Sequence, residues 1–305
     1  MNKIIGLVSI FFTIFFLVII VLRFDLQGVG EALLESNKVL FFLAIIIFFC
    51  TLAIGMLRYK KMLDLLGCEV SFREVLKIFL ATLPLLKIAP GNSGELIKTY
   101  YLKERVVFSK NAGIIVMESF LDIGILFLLT AISSFFLKMN LLFISSLGGL
   151  VVMLIFAIFV SKLRLAFSQK WREKIDNFFC IFKALAASPK FLLTILAYTF
   201  LNWFFVLVCI KILFFSFGQG VSFIKIMTFQ PIVIFVTLLP ISVSGIGTRE
   251  LSMIYFYSNY SPVDNILAVS LIYSFLTGVI LPILGIPFMC KLFKQKNKNV
   301  EPRTT

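Results

Sequence analysis

The chain has 305 residues, 60% of them hydrophobic and 37 of them Phe, with a mean hydropathy of +1.06 and a formal net charge of +14. A soluble domain runs to about 45–50% apolar residues, so this excess has no aqueous core to enter and a soluble globular protein is excluded. Histidine is absent, which removes the commonest general base and both the Ser-His-Asp and Cys-His nucleophile pairs.

The five cysteines have no CxxC spacing, so they read as free thiols rather than a disulfide framework or a metal site. The basic residues fall between apolar stretches, so the charge points to membrane topology rather than nucleic acid. Neither a cofactor nor a metal is implied.

Taken in chain order, six apolar stretches have spanning length: 4–22, 39–57, 111–137, 141–161, 191–217 and 263–290. In lipid the backbone must be satisfied internally, and these runs are continuous rather than alternating, so they predict helices and exclude barrel strands. The first stretch is too long for a signal-peptide core and has no small-x-small site before Arg23, so it reads as a retained helix.

Two further apolar runs end differently. Residues 75–89 run into Pro90-Gly91-Asn92-Ser93-Gly94-Glu95, and 223–239 run into Pro240 and then Gly245-Ile246-Gly247-Thr248-Arg249-Glu250. Broken backbone at membrane depth is tolerated only where protein or a wet cavity surrounds it. Both are expected to be re-entrant or broken helices.

Positive charge orients the spans. Arg58, Lys60, Lys61 and Arg73 follow the second stretch, and Lys98, Lys103, Arg105 and Lys110 precede the third. Residues 162–190 carry seven Lys/Arg, and five more follow from Lys291. All share one side only if 75–95 enters and leaves from the cytoplasm and 223–250 from outside. The expectation is a multi-pass plasma-membrane protein with both termini cytoplasmic. Residues 162–190 read either as an amphipathic helix at the interface or as a solvated basic connector, and 294–305 as a polar cytoplasmic tail.

A shift of 155 residues aligns Glu95-Leu96 with Glu250-Leu251, Tyr100 with Tyr255, and Ser119-Phe120-Leu121 with Ser274-Phe275-Leu276. Each half reads span, broken segment, span, in opposite orientation. An inverted repeat follows, about 39–137 and 191–290, within a single transmembrane unit at 1–293. The expected fold is an all-α polytopic membrane protein of about six full transmembrane helices plus two re-entrant or broken ones. In transporters built this way the substrate meets the repeat interface.

Glu95, Glu118, Asp122, Arg249 and Glu250 are the ionisable residues costliest to bury, at about 2.5–3.5 kcal/mol each on insertion scales. Glu118 and Asp122, four apart, share a helix face. One reading is a polar cavity in which Arg249, Glu250 and Glu95 meet a headgroup between the repeats, with the other carboxylates as counter-ions or proton carriers. The other is a structural ion-pair network. Lys87 and Lys98 flank the first break, Lys87 as a candidate for the substrate's phosphate and Lys98 as a lysine snorkelling to the interface.

Pro90, Gly94, Glu95 and Lys98 with Glu118 and Asp122, and later Pro240, Gly245, Gly247, Arg249 and Glu250, resemble the two signature regions of the lysylphosphatidylglycerol synthase transmembrane-region, or flippase-like, family. The resemblance runs from about 39 to 290. Lys98 stands where that pattern has Arg, and Ser119 where Arg is common. It implies a stand-alone lipid transporter for a phospholipid, an aminoacylated lipid or a lipid-linked sugar. The alternative is a membrane subunit or scaffold for an envelope lipid- or glycan-modifying enzyme, which would then be a partner. An enzyme is not expected, because the synthase chemistry needs an aminoacyl-tRNA-binding domain and no soluble stretch exceeds about thirty residues.

Overall fold

The computed structural model describes residues 26–88, 94–162, 169–239, 241–242 and 245–298, together with Val18. Pro90, Pro240, the stretch expected at 4–22 apart from Val18, and the end of the tail lie outside the described residues.

The described chain is helical throughout, without strands. Helix α1 is Leu26–Glu35, α2 Lys38–Leu65, α3 Phe72–Ile88, α4 Ile97–Tyr101, α5 Phe108–Phe136 and α6 Asn140–Lys162. There follow α7 Gln169–Ala187, α8 Pro189–Ser216, α9 Phe223–Leu238, α10 Thr248–Tyr257, α11 Val263–Phe275 and α12 Leu281–Lys298. A π-helical turn at Leu276–Ile280 joins α11 to α12.

Among the described residues, α2, α5, α6, α8 and the α11–α12 pair are long and apolar enough to cross a bilayer. These are five of the six expected spans, and the protein is an all-α polytopic membrane protein. Punctuation is local. The Asn37 Oδ1 accepts from the backbone N–H groups of Val39 and Leu40 to start α2, and Pro189 starts α8, where its missing N–H costs nothing.

The ends of the helices sort into two sets. At one end the Arg105 guanidinium pairs with Glu74 at 3.3 Å, and a pocket joins Gly67, Glu69, Val107 and Lys110. The chain therefore enters α3 and returns after α4 at the same end, as a re-entrant segment does. At the other end the Asn37 N–H donates to Ser216 O at 2.7 Å, the Lys225 ammonium lies 3.6 Å from the Tyr260 ring centroid, and a pocket joins Glu31, Glu35, Gln219 and Asp264. So α9 and α10 likewise leave and return at one end. Helix α2, about 42 Å long at 1.5 Å per residue, separates the two ends. The α3 end is the basic one.

Packing is reciprocal between the halves. Helix α2 lies along α8, α3 lies against α12, and α9 lies against α5. Each re-entrant helix thus covers the second span of the other half, as two-fold-related repeats would. Two apolar cores result. One, towards the basic end, holds Tyr59, Met62, Leu63, Val75, Leu102 and Ile181; the other holds Phe214, Met253, Tyr257 and Ile266. Helix α6 is exposed along nearly all of its length and rests on α5, so it is peripheral. Helix α7 buries Ile181 and Leu185 and packs on α5, which removes the solvated-connector reading for that helix; residues 163–168 lie outside the described residues.

Candidate functional site

The buried charges gather at the two breaks, one group in each half. Helix α2 does not end with its apolar stretch at Leu57. Tyr59, Met62 and Leu63 continue the helical spacing and are fully buried, which keeps Arg58 inside the bundle about 10 Å short of the helix end. There Arg58 forks. Its Nη1 and Nη2 donate to the Asp122 carboxylate at 2.6 and 3.1 Å, its Nε to Glu118 Oε1 at 3.2 Å, and Nη1 also to Thr199 Oγ1 at 3.2 Å. The Trp203 indole N–H completes Asp122 at 2.9 Å. Bidentate pairing of this kind is the strong form of charge-assisted hydrogen bond.

The chain of charges continues through Lys98 on α4. Its Nζ lies 3.0 Å from Glu95 Oε2 and 3.8 Å from Glu118 Oε2, over the rings of Tyr59 and Phe79 at 4.7 and 5.1 Å. The Tyr59 hydroxyl donates to Asn111 Oδ1 at 2.7 Å. Asp122, Arg58, Glu118, Lys98 and Glu95 therefore alternate in sign along one continuous network. Gly94 stands directly against the Leu85 carbonyl, where a Cβ has no room, so this glycine lets the break fold back on α3.

The second break is built differently. Gly245 and Gly247 have φ of +76° and +86°, the left-handed region that glycine enters without strain. They turn the chain into α10 so that Glu250, fully buried, accepts from the Gly247 N–H at 2.6 Å. That is the reach-back half of a capping box. Ser274 and Ser270 also donate to Glu250 Oε1, at 2.5 and 3.3 Å.

Arg249, 8% exposed, donates through Nη1 to the hydroxyls of Ser274 at 2.8 Å and Thr277 at 3.3 Å, and lies 5.3 Å from the Tyr273 ring centroid. Among the described residues no carboxylate lies within ion-pair distance of it. Ser274 stands between, accepting from Arg249 and donating to Glu250. The site lies about 15 Å below the end opposite the basic one, counted along α10.

Three expectations need correction. Glu118 and Asp122 are the counter-ions of Arg58, not of Arg249. Lys98 is 2% exposed and does not snorkel, because two carboxylates and two rings hold it inside. Among the described residues no hydrogen bond or ion pair joins Glu95 to Arg249 or Glu250; Glu95 pairs with Lys98 at the first break. The side chain of Lys87 lies outside the described residues. Arg58, Thr199, Trp203, Ser270, Tyr273 and Thr277 were missed. The signal for Arg58 was the helical spacing of Tyr59, Met62 and Leu63 beyond it. That for Thr199 and Trp203 was a polar pair four apart in an otherwise apolar span.

The spacing of 155 residues acquires geometric meaning here. It sets Glu118, Ser119 and Asp122 against Tyr273, Ser274 and Thr277. In each half, a cation from the short helix after the break reaches this turn of the following span: Lys98 meets Glu118, and Arg249 meets Tyr273, Ser274 and Thr277.

Comparison with known proteins places the chain in a family. A UPF0104 membrane protein of Archaeoglobus fulgidus is 27% identical over 243 residues, 70% of this chain and 74% of that protein. Residues 4–285 match the family described as the lysylphosphatidylglycerol synthase TM region. By that match the chain belongs to the lysylphosphatidylglycerol synthase transmembrane-region family.

Proposed function

We propose that this protein moves a lipid across the plasma membrane, taking its headgroup at the second break, with both termini in the cytoplasm and without chemistry on the lipid. The observation that carries this reading is Arg249. A buried guanidinium at bilayer depth costs about 2.5–3.5 kcal/mol, and its partners are two hydroxyls and a ring. An anionic headgroup would offset that cost. The reciprocal packing of two re-entrant segments supports a transporter, since such repeats commonly enclose a substrate site.

The test is translocation of fluorescent phospholipid in proteoliposomes. Arg249→Ala is expected to abolish it while the protein remains monodisperse with a near-normal Tm. Arg249→Lys keeps the charge and loses the fork, so it retains partial activity. The rival reading, a scaffold for an envelope lipid- or glycan-modifying enzyme, draws on the internally paired Arg58 network. Wild-type protein that moves no lipid above empty vesicles would favour the scaffold.

A further inference from the structure

We propose that Tyr273 and Thr277, neutral residues where the other half carries Glu118 and Asp122, make Arg249 selective for a net-anionic phosphodiester headgroup over a zwitterionic one. This rests on the transporter reading and specifies its ligand.

Four observations lead here. The shift of 155 residues matches position 118 to 273 and 122 to 277. In the first half both positions are carboxylates, and both are consumed by Arg58 and Lys98. In the second half the same turn offers Arg249 a ring and hydroxyls only. Among the described residues the neighbouring carboxylate, Glu250, is fully buried and accepts from Gly247, Ser270 and Ser274.

Among the described residues the site therefore presents one guanidinium whose hydrogen bonds run through Nη1, and no carboxylate free to meet an ammonium. A phosphodiester oxygen fits the guanidinium, as Arg forks fit phosphate. A headgroup that adds an ammonium brings a second charge into the same desolvated space without a partner, which is penalised. Discrimination thus comes from what the site withholds as much as from what it offers.

Wild-type protein in vesicles is expected to translocate fluorescent phosphatidylglycerol at least roughly tenfold faster than fluorescent phosphatidylethanolamine, a factor that corresponds to about 1.4 kcal/mol. Thr277→Asp, which hands Arg249 an internal carboxylate, should remove most of the phosphatidylglycerol rate. Thr277→Asn has the same shape without the charge and should lose about tenfold less. Equal rates for the two lipids in wild-type protein overturn the proposal without any variant, as do equal losses for Asp and Asn.

Binding is read separately, as phosphatidylglycerol adducts on detergent-solubilised protein in native mass spectrometry. Arg249-dependent adducts without translocation would sink the transporter reading and leave this site standing. Translocation without discrimination would do the reverse. Inorganic phosphate is the control for the source of the anion. Stabilisation of wild-type protein by phosphatidylglycerol that phosphate does not reproduce supports a lipid, and stabilisation by phosphate alone overturns it.

Discussion

At the first break, five charged side chains, four on α2, α4 and α5 and Glu95 just before α4, satisfy one another: Arg58 spans Glu118 and Asp122, and Lys98 stands between Glu118 and Glu95. At the second, in the matching place of the other half, Arg249 finds hydroxyls and a ring while Glu250 is spent on capping α10. Both pairs of segments share a backbone plan, a re-entrant helix, a glycine-bearing break and a short helix docked on the next span. The electrostatic outcomes differ because the docking turn carries carboxylates in one half and neutral residues in the other. A closed network offsets the cost of burying charge within the protein and so acts as structure. On the transporter reading proposed above, an incomplete one leaves part of that cost to be met by a ligand.

The hardest strain on this contrast is Arg58→Ala. It leaves the buried Glu118 and the half-buried Asp122 without the guanidinium between them, and breaking a buried pair such as Arg58–Glu118 costs about 3–5 kcal/mol. The expected outcome is aggregation on extraction or a steep fall in Tm, followed by fluorescence-detected size exclusion and a melting curve. Replacing the group together, Arg58→Met with Glu118→Met and Asp122→Leu, should restore much of that stability, since apolar substitutes for buried ion networks are often neutral or better. An Arg58→Ala protein as stable as Arg249→Ala would erase the distinction between the two breaks.

Lys98→Met comes next. Glu118 keeps Arg58, and the side chain of Glu95 is 24% exposed, so the loss should be about 1–3 kcal/mol, the cost of leaving hydrogen-bonding groups unpaired. Lys98→Arg should recover most of it. A loss equal to that of Arg58→Ala would make Lys98, rather than Arg58, the centre of the network.

Gly247→Ala sharpens the comparison from the other side. At φ of +86° an alanine costs about 1–2 kcal/mol, and the shift falls on the turn that aims Arg249. Translocation should drop by more than the small change in Tm accounts for. Unchanged translocation at a lowered Tm would separate the turn from the site.

The smallest effects concern the ends of the molecule. Burial pushes up the thiols of Cys68 and Cys180, with Lys110 pulling both back part of the way. Less thiolate is then present near neutral pH, so maleimide labelling of folded protein should be slow and accelerate as pH rises above the ordinary thiol range. Unfolding should remove the lag; equal rates for folded and unfolded protein would contradict the burial. On intact cells an impermeant reagent should reach neither cysteine, whereas Asn140→Cys and Gly220→Cys, both at exposed positions, should label. External labelling of Cys180 would reverse the assignment of sides.

The sequence by itself determined five of the spans now described, both breaks and the spacing that relates the halves. Apolar length, Pro and Gly punctuation and the sidedness of Lys/Arg are local signals, and lipid enforces them one segment at a time. It also marked Glu118 and Asp122 as sharing one helix face. Only the tertiary structure decided which charges meet. Arg58 stands 60 and 64 residues from its two carboxylates, and helical periodicity says which side chains share a face but not which faces touch. The same limit hid the role of Tyr273 and Thr277, ordinary residues of an apolar span until α10 lays Arg249 across them.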